Sequence, residues 1–302
     1  MKILVASSSP LAKNLLNHIK SSDHQLLGGI SSPDRASGRG QSVSSNDFAS
    51  YCQEIGVSCY KPSTNEELAG ILQKTHVELV ITLAYGRLIK TNELQIPKHG
   101  WLNVHFSLLP RWRGAAPVQR AIAAGDEQSG VTVFKLEQGL DTGPIYSTLS
   151  YPLNDRSRSD EVLKDLSSLC IQPVNQALIM IAAGEPASTQ ETEGVTLAPK
   201  ILKSDGRIDW NRDSKMLDRQ IRAFQPWPGA YTSFNGTRIE IIEARVSEAD
   251  GVAGEVISLN PLLVGTGSGS LEIIRVKPEN KREMSSSDWL RGARITLPCA
   301  FE

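Results

Sequence analysis

At 302 residues, with 40% apolar side chains and a formal net charge of −1, the chain can bury two cores and carries no overall charge that would draw it to nucleic acid. Cys52, Cys59, Cys170 and Cys299 form no C-x-x-C pair and adjoin no His cluster, so packing thiols are expected and neither a metal nor a disulfide framework is. The apolar run over Met1–Ala6 is too short for a signal or membrane segment, and no later stretch approaches 18 apolar residues, so a cytoplasmic protein with no membrane partner is expected.

Lys2 to Ala6 reads as a strand, followed by Ser7-Ser8-Ser9-Pro10 and a helical pattern through Leu11, Leu15, Leu16 and Ile19. With a strand over Leu26–Ile30, this is the opening β-α-β of a parallel α/β sheet, although G-x-G-x-x-G is absent. Residues 31–45 form a polar Gly/Ser loop long enough for a functional insertion. A helix over Asn46–Ile55, a short strand near Val57 and a helix after the capping box Thr64-Asn65-Glu66-Glu67 come next. Val77 to Ala84 suits a central strand, and it runs into the Tyr85–Ile89 loop at a carboxyl end, where open α/β sheets bind ligands.

Trp101 to His105 reads as the next strand, and its period of two puts Asn103 and His105 on one face. The helix after Pro117 stops at Gly125, Gly130–Leu136 alternates like a strand, and Gln138 to Pro144 is a turn-rich loop carrying Asp141. A strand over Ile145–Tyr151 and a helical region over about Asp160–Ala183, kinked or split at Pro173, close the domain. Polar, aperiodic sequence from Gly184 to about Leu197 has the composition of a linker. Beyond it a helix over residues 215–224 precedes short alternating segments divided by Asn235-Gly236, Asp250-Gly251, Asn260-Pro261 and Gly265–Gly269, the pattern of a small all-β barrel. The expected domains are therefore 1–184, a linker over 185–204, and 205–302.

An amide and an imidazole on one strand face, with a carboxylate from a neighbouring loop, supply an oxyanion donor, a proton carrier and a group to set the imidazole's charge. Ser107 lies on the following turn without a G-x-S-x-G elbow, so direct acyl transfer between two bound substrates suits these residues better than covalent catalysis. Structural hydrogen-bonding roles for Asn103, His105 and Asp141 remain the alternative.

The run Asn103-Val-His105-Phe-Ser-Leu-Leu-Pro110, then Arg-Trp-Arg-Gly-Ala-Ala-Pro117, then Gly139-Leu-Asp141-Thr-Gly143 resembles the signature of the folate-dependent formyltransferases. Trp112–Pro117, Arg207-Ile-Asp-Trp210 and Ile221–Ala230 resemble the branch that acts on methionyl initiator tRNA. The resemblance implies a Rossmann-like parallel-sheet formyltransferase domain followed by an OB-like β-barrel that binds tRNA. It further implies 10-formyltetrahydrofolate as formyl donor and the α-amine of methionyl initiator tRNA as acceptor; a monomer is expected. By the same resemblance Asn103, His105 and Asp141 are catalytic, with His105 protonated and Asp141 holding that charge and relaying protons through water. Tyr85, Gly86, Arg87, Leu88, Ile89, Ser107, Leu108, Leu109, Pro110 and Thr142 would line the folate cleft.

Residues 200–302 hold 15 Lys/Arg against 14 Asp/Glu, so a phosphate-binding face there must come from charge segregation. Lys200, Lys203, Arg207, Lys277, Lys281 and Arg282 are the candidates, with Arg35 and Arg39 of the insertion. Gln41–Ser45 stands where related enzymes commonly carry lysines, and offers hydrogen bonds but little charge. The alternative within the family is a sugar-nucleotide formyltransferase; from a different class, a non-catalytic RNA-binding protein would not need the Asn/His/Asp set.

Overall fold

In a computed structural model, which describes residues 1–37 and 42–302, Lys2–Ala6 forms strand β1 with Ile3, Leu4, Val5 and Ala6 fully buried. Burial on both faces belongs to the middle of a parallel sheet. The chain continues through helix α1 (Lys13–Ser21), β2 (Gln25–Ile30), the hairpin β3 (Arg35–Ser37) and β4 (Ser42–Ser44), α2 (Asp47–Glu54) and β5 (Cys59–Tyr60). Val57, expected in a strand, instead closes the end of α2, its N–H bonded to the Cys52 carbonyl. Next come α3 (Asn65–Thr75), β6 (Leu79–Thr82), α4 (Thr91–Gln95), β7 (Trp101–His105), β8 (Arg113–Gly114) and α5 (Pro117–Ala124). Asn46 and Thr64 cap α2 and α3 by accepting from Ala49 N and Glu67 N.

After β9 (Gln128–Lys135) and β10 (Ile145–Pro152), the helices α6 (Ser159–Leu169) and α7 (Ile171–Ala183) replace the single helical region, with Pro173 in the first turn of α7, where its missing N–H has no partner to lose. Among the described residues, Ser159–Ala183 is the one helical run long and apolar enough to cross a membrane. Asp160, Glu161, Lys164 and Asp165 interrupt its apolar character, and α7 buries Val174, Ala177, Leu178 and Ile181 beside β9 and β10.

The seven strands lie in the order β10-β9-β7-β6-β1-β2-β5. β1, β2, β5, β6 and β7 pair in parallel, whereas β9 pairs antiparallel with β7 and β10 antiparallel with β9. The sheet is thus mixed at one edge. The β9–β10 loop spans only residues 136–144, too short for the crossover that a parallel pair requires. The order reverses between β1 and β6, beside the end of β7 that carries Asn103 and His105.

Residues 185–204 carry a short strand, β11 (Leu197–Ala198), which pairs with β8, and Ser188 exchanges two backbone bonds with Ile145. One compact unit comprises Met1–Pro117, Gln128–Pro152 and Leu163–Ala198; the other comprises Val118–Glu127, Leu153–Val162 and Pro199–Glu302.

In the second unit α8 (Ser214–Ala223) is capped by Asp213 and buries Leu217 and Ile221. The strands β12 (Ala230–Phe234), β13 (Thr237–Ser247), β14 (Val256–Leu259), β15 (Leu262–Gly265), β16 (Ser270–Pro278) and β17 (Met284–Ser285) precede α9 (Ser286–Ala293). Asn235 and Gly236, both at positive φ, turn β12 into β13 in the manner that Asn-Gly favours. The ladder runs β12-β13-β16-β15-β14, and residues 299–302 span its ends: Phe301 N bonds Gly254 O and Glu302 N bonds Ser233 O. Phe301 is the apolar plug of this closure, with ring centroids 5.2 Å from Phe234, 5.6 Å from Trp210 and 5.8 Å from Trp289. Phe301→Ala is expected to lower the unfolding free energy by roughly 3–5 kcal/mol. Urea titration of the full chain measures it, and a loss under about 1 kcal/mol would show that the tail does not close the core.

Candidate active site

Asn103 and Thr82 are register partners on β7 and β6, and the Thr82 hydroxyl donates to Asn103 Oδ1 at 2.8 Å. With its carbonyl oxygen engaged, the Asn103 amide has its NH2 as the donor to offer a ligand. His105, two residues on and 5% exposed, shares that face of the strand. Its Nε2 lies 2.9 Å from the Trp112 carbonyl, an acceptor only, so Nε2 carries the proton and Nδ1 the lone pair.

The turn after β7 is held from within. Ser107 Oγ donates to the Arg111 carbonyl at 2.6 Å, while Thr132 Oγ1 donates to Ser107 O at 2.7 Å and accepts from Leu109 N at 3.2 Å. Trp112, at φ 65, donates its N–H to Thr196 Oγ1, and Gly114, at φ 127, donates its N–H to Asp141 Oδ2 at 2.7 Å. A side chain at Gly114 would strike the Ala198 carbonyl of β11, so close strand pairing and positive φ both demand glycine there.

Asp141 reaches this point from the β9–β10 loop at φ 50, its Oδ2 standing 3.8 Å from His105 Nδ1. Burial pushes the His105 pKa below the ordinary imidazole value; the Asp141 carboxylate and the Trp112 carbonyl pull it up, but by less. The carboxylate bonds Gly114 N and stays beyond hydrogen-bond length of Nδ1, which weakens its hold on an added proton. Burial thus works against the protonated His105 that the resemblance implies.

The residues expected around a folate cleft divide by exposure. Leu88 is 81% exposed, Gly86 faces open space at φ 69, and Thr142 is exposed with its side chain over Gly139. Tyr85 and Ile89 instead join the core around Leu4, Val80 and Trp101. Arg87 turns its guanidinium onto the Pro62 carbonyl at 2.7 Å and Asn65 Oδ1 at 2.9 Å. Ser107 and Leu109 are buried, and Leu108 and Pro110 half-buried. Among the tRNA candidates Arg35, Lys200, Lys203, Arg207, Lys277, Lys281 and Arg282 are exposed, with Lys277 Nζ 3.6 Å from Glu240; Arg39 lies outside the described residues. Among the described residues no three His, Cys, Asp or Glu side chains gather as metal ligands would. Sequence reasoning missed Thr82, whose signal lies only in its strand register, and Gln190, whose Nε2 donates to the Asp141 carbonyl.

The sequence matches the formyl transferase family over residues 1–169 and the formyl transferase C-terminal domain over residues 200–294. The chain belongs to the formyl transferase family. It is 37% identical to a methionyl-tRNA formyltransferase of Cutibacterium acnes and 36% identical to one of Thermobifida fusca, covering 98% of this chain in each case and 98% and 97% of the relatives. Its fold is similar to HypX from Aquifex aeolicus in complex with tetrahydrofolic acid, with a TM-score of 0.67 at 18% identity over 96% of this chain and 46% of that one. The chain thus spans about half the length of HypX. A methionyl-tRNA formyltransferase from Clostridium thermocellum is similar with a TM-score of 0.60 at 16% identity, covering 83% of this chain and 95% of that one.

In this formyl transferase, an NMR titration of the five histidines should place the His105 midpoint below about 6.5, the ordinary imidazole value. Because the Asp141 carboxylate raises that midpoint, Asp141→Asn should lower it further. A rise on removing the charge would contradict the assigned geometry.

Proposed function

We propose that this chain transfers a formyl group from 10-formyltetrahydrofolate to the α-amine of methionyl initiator tRNA, at the start of protein synthesis. What carries the proposal is the Asn103 amide, its oxygen bound by Thr82 and its NH2 left to donate, on the same strand face as a buried His105 that confronts Asp141. Relatives that carry the methionyl-tRNA formyltransferase name match this arrangement's chain almost end to end. The work divides into a formyltransferase domain over 1–184, a connector over 185–204 and an OB-like tRNA-binding domain over 205–302, in a cytoplasmic monomer.

The donor supplies a formyl carbon activated on the folate N10. Asn103 Nδ2 donates to the formyl oxygen as the attacking amine turns that carbon tetrahedral, meeting negative charge with a fixed dipole. His105 Nδ1 takes the proton that the amine sheds, which is possible because the imidazole starts neutral. Asp141 stabilises the imidazolium so formed, and His105 returns the proton to the departing folate nitrogen as the C–N10 bond breaks. The exposed Leu88, Gly86 and Thr142 are the loop groups we assign to the folate. Lys200, Lys203, Arg207, Lys277, Lys281, Arg282 and Arg35 are assigned to tRNA phosphates, and Arg39 is assigned there from sequence alone.

An oxyanion donor contributes about 3 kcal/mol, so Asn103→Ala should lower kcat about 100-fold with tRNA affinity unchanged. Turnover near wild type would remove Asn103 from the chemistry. The substrate assignment is tested by incubating the protein with 10-formyltetrahydrofolate and either methionyl initiator tRNA or a UDP-aminosugar. Formylation of the tRNA is expected; formylation of the sugar alone would overturn the proposal.

A further inference from the structure

Between Ala182 and Leu197 every side chain is exposed or half-buried except Gln190, which is 7% exposed. Val195 and Leu197, the apolar residues that would anchor such a strap by burial, are themselves exposed. The Gln190 carboxamide is held by hydrogen bonds instead, and all four of its positions are filled. Nε2 donates to the Asp141 and Gly143 carbonyls, each at 2.8 Å, while Oε1 accepts from Arg113 Nε at 3.1 Å and Nη2 at 2.6 Å. Arg113 precedes the glycine whose N–H holds the Asp141 carboxylate. Gln190 therefore grips both sides of the clamp on Asp141.

The chemistry of the side chain is specified by its partners. Two carbonyls need two donors and a guanidinium needs an acceptor, and only a carboxamide presents both. On either side the strap is pinned to the same two elements: Ser188 bonds the Ile145 backbone at the start of β10, and β11 pairs with β8. At Gly143 a side chain would collide with the Lys135 carbonyl, so this loop passes β9 too closely to shift without losing that fit.

We propose that Gln190 is a positioning residue for formyl transfer, its carboxamide locking the Asp141–Gly143 turn to Arg113 and so holding the Asp141 carboxylate opposite His105 Nδ1. This rests on the reading of Asp141 as the carboxylate that serves the reaction. With its carboxamide filled by protein partners, Gln190 acts through Asp141, whose left-handed backbone conformation needs external support.

The test uses the full chain with Gln190→Met, which keeps the side-chain length without the donors, and Gln190→Glu, which keeps the Arg113 acceptor and removes the two N–H groups. Each should lower kcat roughly 10- to 100-fold, as a catalytic group displaced by about 1 Å does, with KM for donor and acceptor within about twofold of wild type. In Gln190→Met the His105 titration midpoint should fall, because the carboxylate that raises it is no longer held in place. Combined with Asp141→Asn, Gln190→Met should add less than about a twofold further loss, since both changes remove one function. Wild-type kcat in Gln190→Met, losses that multiply in the double variant, or failure of both Gln190 variants to fold would overturn the proposal. Wild-type turnover of Asp141→Asn alone would instead sink the catalytic reading of Asp141 on which it stands.

Discussion

The bond from the Gly114 N–H to the Asp141 carboxylate joins two loops that are 27 residues apart in sequence, and the site depends on it. A carboxylate accepting a backbone N–H makes a short, charge-assisted bond, and here the oxygen that accepts it, Oδ2, is the one that stands 3.8 Å from His105 Nδ1. The same bond tempers the carboxylate's influence on the imidazole. His105 is deeply buried, donates a hydrogen bond from Nε2 to the Trp112 carbonyl, and has its pKa pushed down by that burial. In the proposed reaction such an imidazole is suited to take a proton from the attacking amine, with Asp141 beside it to stabilise the charge.

This arrangement is held in unfavourable local geometry. Ala84, Trp112 and Asp141 all adopt positive φ, at about 1–2 kcal/mol apiece for residues with a Cβ. They follow or face the ends of β6, β7 and β9, strands whose side chains are almost wholly buried, and each fully buried aliphatic side chain contributes about 1.5–3 kcal/mol. Burial along these strands opposes that strain and holds the loops that follow them in place.

Polar contacts rather than apolar burial organise the 185–197 stretch, and its composition hides its role. In the second unit the reverse holds: Trp210, Phe234, Trp289 and Phe301 close an aromatic core through residues 299–302, while Lys200, Lys203, Arg207, Lys277, Lys281 and Arg282 are exposed. With 15 basic against 14 acidic residues beyond position 199, attraction of phosphate by that region is a matter of where charges sit, and it is accordingly screened by salt.

Strand periodicity alone placed Asn103 and His105 on one face, and the Val77–Ala84 apolar run marked a central strand, because side-chain alternation and apolar runs are local properties of extended backbone. Cap residues at Asn46, Thr64 and Asp213 and the Asn235-Gly236 turn are local in the same sense: donor and acceptor lie within a few residues. The antiparallel edge at β9 and β10 was written in a loop length, the splitting of the long helix in Pro173. What only the tertiary structure decided is every interaction that crosses the sequence at long range: Thr82 against Asn103, Trp112 and burial against the charge of His105, and Gln190 against Asp141 and Arg113. A lone glutamine in polar, aperiodic sequence has no period and no neighbour to mark it, and an imidazole's charge is set by the dielectric and partners that the whole fold brings to it.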